Sequence, residues 1–323
     1  MCVMNVLITG GAGFIGSTLA GRLLREGHRV SIVDNFNGAY DPALKRQNIR
    51  RIGPAGSVMV YEGDVRQPPF MRHVLRHEAV DVVVHLAGLA GVRPSLQNPT
   101  AYFDHNLNGT TVLLDAMRDT GVSRVVVASS SSVYGNRAQG PFLETDPTDE
   151  PVSPYALSKR AVELVCSQYS RLYGLNAYCL RLFTVYGPRQ RPDMAISRFL
   201  HQLYRGQPVR LFGDGHSQRD YTYVDDIVDG MVRAIRRVSG YEVINLGSAA
   251  PVSLLELVCL LRDITGRHSP IEWQAEQPGD VPLTYANIDK ARRLLGYVPA
   301  TNLREGLTHM VEQLGQPTVL SLL

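Results

Sequence analysis

Short apolar, β-rich runs alternate along the first half of the chain with stretches whose apolar positions recur every three or four residues. A period near two suits a strand and one near 3.6 a helix, so this alternation predicts a parallel sheet wrapped by helices. Strands are expected over 3–9, 29–33, 57–62, 81–85, 124–128 and 176–182, and helices over 14–26, 102–120 and 155–173. Beyond about residue 180 the spacing becomes irregular, with Pro188, Pro192, Pro208, Gly213 and Gly215 punctuating shorter elements. Residues 1–180 therefore read as one domain and 181–323 as a smaller lobe, with returns to the sheet near 222–248. No internal repeat or low-complexity tract interrupts this order.

The first predicted strand runs directly into Thr9-Gly10-Gly11-Ala12-Gly13-Phe14-Ile15-Gly16, which opens a helix. The glycines then have distinct roles. Gly10 permits a tight turn, Gly13 lets a pyrophosphate approach the helix N-terminus, and Gly16 allows the helix to pack closely. Asp34 ends the second strand, near the ~20-residue distance at which a carboxylate binds ribose hydroxyls. A carboxylate there repels a 2′-phosphate, and no arginine follows immediately in Asn35-Phe36-Asn37, so NAD is expected over NADP. Asp64-Val65 and Leu86-Ala87-Gly88 follow the third and fourth strands, at the strand ends where open α/β sheets place ligands. The fold class is thus α/β, a Rossmann-type doubly wound parallel sheet with a smaller α/β substrate-binding lobe at the C-terminal end.

Composition narrows the partners. The 323 residues are 44% hydrophobic and 20% charged, values of an ordinary soluble globule. A formal charge of +3, with basic residues scattered, argues against nucleic acid and fits a few arginines facing an anionic small molecule. Cys2, Cys166, Cys179 and Cys259 lie far apart with no Cys-x-x-Cys, so neither a disulfide framework nor a zinc site is expected and a reducing cytoplasm is. No charged leader precedes the first strand, and no apolar run approaches the ~20 residues of a membrane span. His73 and His77 share a helix face, but with no third ligand nearby no metal is expected.

Tyr155 and Lys159 stand four residues apart on a predicted helix and so share a face. Lysine is scarce: of 33 basic residues only Lys45, Lys159 and Lys290 are lysines. An ammonium beneath the ring favours the phenolate, and bringing a tyrosine from pH ~10 to neutrality requires about 4 kcal/mol. The ammonium and a cofactor's positive charge together are expected to supply it. Such a pair serves a dehydrogenase, a lyase or an isomerase.

With the glycine loop, Ser129-Ser130-Ser131-Ser132-Val133-Tyr134-Gly135 and Ser153-Pro154-Tyr155-Ala156-Leu157-Ser158-Lys159, the chain resembles the extended short-chain dehydrogenase/reductases acting on nucleotide sugars. The likeness continues through Arg181-Leu182-Phe183-Thr184-Val185-Tyr186-Gly187-Pro188-Arg189 and Gly213-Asp214-Gly215 to Arg219-Asp220-Tyr221-Thr222-Tyr223-Val224-Asp225-Asp226, and covers essentially the whole chain. It implies that Tyr155 is the base, that Lys159 also binds the nicotinamide ribose, and that Ser130 hydrogen-bonds the reacting oxygen. It implies an NAD site formed by Gly10, Gly13, Phe14, Ile15, Gly16, Asp34, Asn35, Asp64, Val65, Leu86, Ala87, Gly88 and Asn106. A homodimer through helices near 102–120 and 155–173 is implied as well.

Related 4,6-dehydratases carry Asp-Glu before the Val-Tyr-Gly, and uronate decarboxylases a glutamate; this chain has Ser131-Ser132. Elimination needs an added acid/base pair, which two hydroxyls do not provide, so oxidation and re-reduction at C4 is favoured. Leu86-Ala87-Gly88-Leu89-Ala90-Gly91-Val92-Arg93-Pro94-Ser95, Gly187-Pro188-Arg189-Gln190-Arg191-Pro192-Asp193-Met194 and Gln277-Pro278-Gly279-Asp280-Val281-Pro282 look most like UDP-glucuronate 4-epimerases. Thr184 stands where UDP-glucose epimerases commonly have asparagine. The likeness implies a UDP-sugar held by Arg93, Ser131, Ser132, Thr184, Arg191, Phe212, Arg219, Gln277 and Asp280. Competing readings are a UDP-glucose or UDP-N-acetylglucosamine 4-epimerase, a UDP-glucuronate decarboxylase, and an NAD-binding scaffold without activity.

Overall fold

The computed structural model describes residues 3–314. Its strands in chain order are β1 (Asn5–Thr9), β2 (Arg29–Asp34), β3 (Met59–Glu62), β4 (Val82–His85), β5 (Arg124–Ser130), β6 (Asn176–Leu182), β7 (Thr184–Tyr186), β8 (Val209–Phe212), β9 (Gln218–Tyr223), β10 (Tyr241–Leu246), β11 (Pro251–Ser253) and β12 (Ile271–Gln274). Seven of them form one sheet in the order β10-β6-β5-β4-β1-β2-β3, every neighbouring pair parallel. The order reverses between β1 and β4, which opens a crevice at their C-terminal ends.

Period-two alternation divides the strands between two buried faces. Leu7, Val83, Val125 and Val127 pack with Met71, Val74, Leu113, Leu114 and Val162, so helices Pro68–His77, Gly109–Thr120 and Pro154–Tyr173 cover one face. Ile8, Val84, Val126 and Leu180 pack with Leu19, Leu23, Ile227 and Met231 from helices Phe14–Arg25 and Val224–Arg237 on the other. A strand buried on both sides has no room for polar side chains, which is why β4 reads Val-Val-Val before His85.

The second half builds two smaller sheets, β11-β9-β7 and β12-β8, whose apolar residues continue the second core. Asp220 of β9 is fully buried and joins these pieces. Its carboxylate accepts from the amides of Ser248 at 2.7 Å, Ala249 at 3.0 Å and Ala286 at 3.1 Å and from the Thr222 hydroxyl, so a buried charge is matched by fixed donors.

Element boundaries differ from the sequence expectation where side chains intervene. The strand expected over 57–62 begins at Met59, β1 begins at Asn5 rather than at residue 3, and β2 extends to Asp34. The single helix expected over 102–120 is three pieces: Pro99–Tyr102, a π-helical turn Phe103–Asn108, and Gly109–Thr120. The wide turn coincides with tertiary bonds of Asn106, whose amide group donates to the Leu89 carbonyl and to Ser158 Oγ and accepts from the Leu89 N–H. Helical periodicity alone carries no sign of such bonds.

Behind the C-terminal end of β5 lies a buried ion pair. Arg181 of β6 grips Glu163 of helix Pro154–Tyr173 with two bonds of 2.8 and 2.9 Å, and Ser129 Oγ donates to the same carboxylate at 2.6 Å. Both side chains are almost wholly buried, so losing one partner strands the other charge. Replacing Arg181 with methionine is expected to lower unfolding free energy by about 3–5 kcal/mol in urea melts, and replacing both residues with apolar ones to recover most of it. Equal loss in the single and double variants would contradict this.

Candidate active site

A cavity of about 470 Å³ opens at the C-terminal ends of the sheet strands and extends to the second lobe. Gly10 sits at φ +70°, and a Cβ there would lie 2.7 Å from Ala87 N, so the loop after β1 is pressed against the loop after β4. A Cβ on Gly16 would lie 2.6 Å from the Gly10 carbonyl, which fixes the start of helix Phe14–Arg25 against the same loop. That helix begins at Gly13 with no side-chain cap, leaving its first amides for an anion. Gly10, Gly13, Phe14, Ile15, Gly16, Asp34, Asn35, Asp64, Val65, Leu86, Ala87 and Gly88 all line this cavity. The donor-rich glycine turn and the buried carboxylate of Asp34 fit a dinucleotide laid across it.

Asp34 accepts from the amides of Phe36 at 2.8 Å and Ala12 at 3.2 Å. Asp64 is gripped by Arg66 and by Asn35 Nδ2, and the Arg66 guanidinium holds its carboxyl well below the usual range. Asn106 lies outside the cavity wall, its amide committed to Leu89 and Ser158. It shapes the loop that carries Gly88 rather than offering a free donor. A buried polar chain beneath this loop joins the Ala87 amide to Thr9, Thr9 to His85 Nδ1 at 2.7 Å and His85 Nε2 to Thr110 at 3.0 Å. The Thr110 hydroxyl donates its proton to the Asn106 carbonyl, so His85 Nε2 carries a hydrogen and Nδ1 accepts from Thr9. Burial, with the nearby Lys159 charge, pushes His85 down to about 3 and keeps it neutral.

The catalytic candidates gather at the end of β5. Ser130 Oγ accepts from the Ser132 amide at 3.2 Å and the Ser132 hydroxyl at 3.0 Å, which leaves its own proton for the Tyr155 phenol. Ser131, Ser132, Tyr155 and Lys159 share the cavity wall with it. The Lys159 ammonium, however, donates to the Ala128 carbonyl at 2.8 Å. Burial raises Tyr155 above its ordinary value, opposed by the Ser130 hydrogen bond and the Arg191 charge. The expected phenolate beneath the lysine is thus not produced by the chain alone: sharing a helix face does not direct the ammonium at the oxygen. Burial lowers Lys159 itself from 10.5 to about 8.

Toward the second lobe the cavity is walled by Thr184, Arg191, Arg219 and Asp280. Arg191 bonds Asp193 at 2.6 and 2.9 Å, and Arg219 forms no ion pair among the described residues. Arg93, Phe212 and Gln277 lie outside the wall: Arg93 pairs with Asp280 at 2.7 Å and covers the Phe212 ring at 4.3 Å, while Gln277 contacts the Ala275 carbonyl. Tyr40, Lys45 and Gln190 also line the cavity, at positions that no sequence motif marks. The scarcity of lysine was the available signal for Lys45.

The chain matches the model of the NAD dependent epimerase/dehydratase family over residues 6–247. It is 40% identical over 306 residues to a UDP-glucuronate 4-epimerase of Thermodesulfobacterium geofontis, covering 94% of each chain. Among solved structures it is similar to a UDP-glucuronic acid 4-epimerase of Bacillus cereus in complex with UDP-glucuronic acid and NAD, at TM-score 0.91 and 34% identity over 97% of this chain and 99% of that one. A dTDP-glucose 4,6-dehydratase, DesIV of Streptomyces venezuelae, reaches the same TM-score at 31% identity, covering 97% and 98%. Backbone likeness therefore does not separate the reactions, and the residues after β5 must.

The lowered Lys159 has a consequence for stability. Its folded value lies below its unfolded one, so the unfolded chain holds more protons between pH 8 and 10.5 and folding strengthens as pH rises through that window. A shift from 10.5 to about 8 corresponds to about 3 kcal/mol of destabilisation at neutral pH. Lys159→Met is expected to melt above the parent at pH 7 without cofactor, with the gap closing toward pH 10.5. A constant gap across that range would contradict the burial of a charged lysine.

Proposed function

We propose that this chain, which belongs to the NAD-dependent epimerase/dehydratase family, is a UDP-glucuronate 4-epimerase interconverting UDP-glucuronate and UDP-galacturonate with no net redox change. The observation that carries this reading is the Ser132–Ser130–Tyr155 hydroxyl chain, which ends beside Thr184 and Arg191 and has no carboxylate at positions 131 and 132. NAD, when bound, supplies a reversible hydride acceptor for C4 of the sugar. Gly10, Gly13 and Gly16 with the uncapped helix start would hold its pyrophosphate, and Asp34 its adenosine ribose.

Tyr155 takes the proton of the C4 hydroxyl, with Ser130 donating to the reacting oxygen as it changes from alcohol to ketone. Because burial keeps Tyr155 a phenol in the free chain, the base is ready only when positive charge is added beside it. That coupling restrains unproductive proton abstraction. Returning the hydride to the opposite face of the 4-ketone inverts C4, so the sugar must turn between the two transfers.

A glucuronate oxidised at C4 is a β-keto acid and loses carbon dioxide when its carboxylate aligns with the ketone π-system. Hydroxyls of Ser131, Ser132 and Thr184 hold that carboxylate out of alignment, and Arg191, already oriented by Asp193, supplies charge. Arg219 binds the diphosphate, while Asp280, Arg93, Phe212 and Gln277 form the nucleoside end. Exposed Leu157, Leu164, Leu172 and Tyr173 on helix Pro154–Tyr173 provide an apolar face for a homodimer. Among the described residues no helix is long and apolar enough to cross a membrane. The free thiols of Cys166, Cys179 and Cys259 support a place in the reducing cytoplasm.

Incubation with UDP-glucuronate is expected to yield UDP-galacturonate without gas release, with UDP-glucose and UDP-N-acetylglucosamine turned over poorly. Tyr155→Phe is expected to lose at least about a hundredfold in rate. Thr184→Ala is expected to release carbon dioxide alongside epimer. Stoichiometric carbon dioxide from the parent makes it a decarboxylase instead, and no increase in Thr184→Ala removes the restraint argument.

A further inference from the structure

The wall of the cavity near Asp34 holds a cation that the reaction does not use. Lys45 lies on helix Pro42–Ile52, is buried, and lines the cavity. Its Nζ stands 3.4 Å from Asp34 Oδ1 and 3.2 Å from Asn37 Oδ1, and 5.3 Å from the centre of the Tyr40 ring. The neighbouring Arg46 is engaged elsewhere, over Phe36 at 4.4 Å and paired with Glu62 at 2.9 Å. In a chain that otherwise writes its cations as arginine, a compact ammonium has been placed against the one carboxylate suited to a ribose.

This pairing changes what the carboxylate can do. With Lys45 beside it, Asp34 presents little net charge, and simple repulsion of a 2′-phosphate is opposed by attraction to an ammonium a few ångströms away. Because both groups are buried, dissolved salt screens neither effectively. The remaining discrimination is a matter of hydrogen-bond direction: a carboxylate accepts from ribose hydroxyls, and an ionised phosphate has no proton to give it.

We propose that Lys45 is a latent specificity residue of the cofactor site, poised to become the counter-ion of a 2′-phosphate once the Asp34 charge is removed. The proposal rests on the reading of this cavity as a dinucleotide site. Asp34 and Lys45 act as one switch, in which the aspartate sets the present preference and the lysine sets what its loss produces.

The test is a double-mutant cycle on Asp34→Asn, Lys45→Met and their combination, each checked for folding by circular dichroism. Protein is equilibrated with equal excess NAD and NADP and washed, and the retained dinucleotides are released and quantified. The parent is expected to retain mostly NAD. Asp34→Asn keeps the acceptor toward the Phe36 amide and is expected to raise the retained NADP to NAD ratio by about tenfold or more, while adding Lys45→Met reverses most of that gain. Equal ratios in Asp34→Asn and the double variant overturn the proposal and leave the cofactor site standing. A parent that retains neither dinucleotide overturns both. Should Asp34→Asn fail to fold, Lys45→Met is compared with the parent under a large NADP excess: a lower NADP share supports the proposal, and an unchanged one overturns it.

Discussion

The bond from the Lys159 ammonium to the Ala128 carbonyl ties helix Pro154–Tyr173 to the end of β5, and the catalytic arrangement depends on that tie. A lysine buried among valines, cysteines and a glutamate is unfavourable unless its charge is met. One carbonyl meets it, and the Ser129–Glu163–Arg181 cluster one turn further along reinforces the same joint. Ser130 and Tyr155, one on each side of the joint, are thereby held in register. The stability sacrificed by burying Lys159 leaves an ammonium beside the place where a nicotinamide ribose would lie.

A second constraint comes from close backbone approach. Gly10 against Ala87, and Gly16 against Gly10, bring the first helix, β1 and the loop after β4 to distances no side chain tolerates. This creates a crevice at the reversal of strand order, and the His85–Thr110–Asn106 chain sets the shape of its far wall. The floor is rigid and shared with relatives that catalyse eliminations, so specificity falls to a few groups above it. Ser131 and Ser132 in place of acids, and Thr184 with Arg191 at the sugar end, are where this chain differs.

Much of this is legible in the sequence. The glycine loop, Asp34 and the strand-end residues are local signals, readable because tight turns demand glycine and because strand ends face the crevice. Three features are not. The π-helical turn at Phe103–Asn108 arises from bonds between Asn106 and residues 17 and 52 positions away, which periodicity does not record. The direction of the Lys159 ammonium depends on a carbonyl supplied by another strand. Lys45 is visible as a rare residue, yet its place beside Asp34 requires the fold.

The phenol of Tyr155, buried and uncharged in the free chain, becomes a base only in company, so the protein reads as a reversible hydride switch rather than a net oxidant. The most direct test is UDP-glucuronate deuterated at C4. Mass spectrometry of the isolated UDP-galacturonate is predicted to show the deuterium still on C4 and all six sugar carbons present. A product that has exchanged the label with solvent, or that lacks C6, would contradict hydride return to the same carbon.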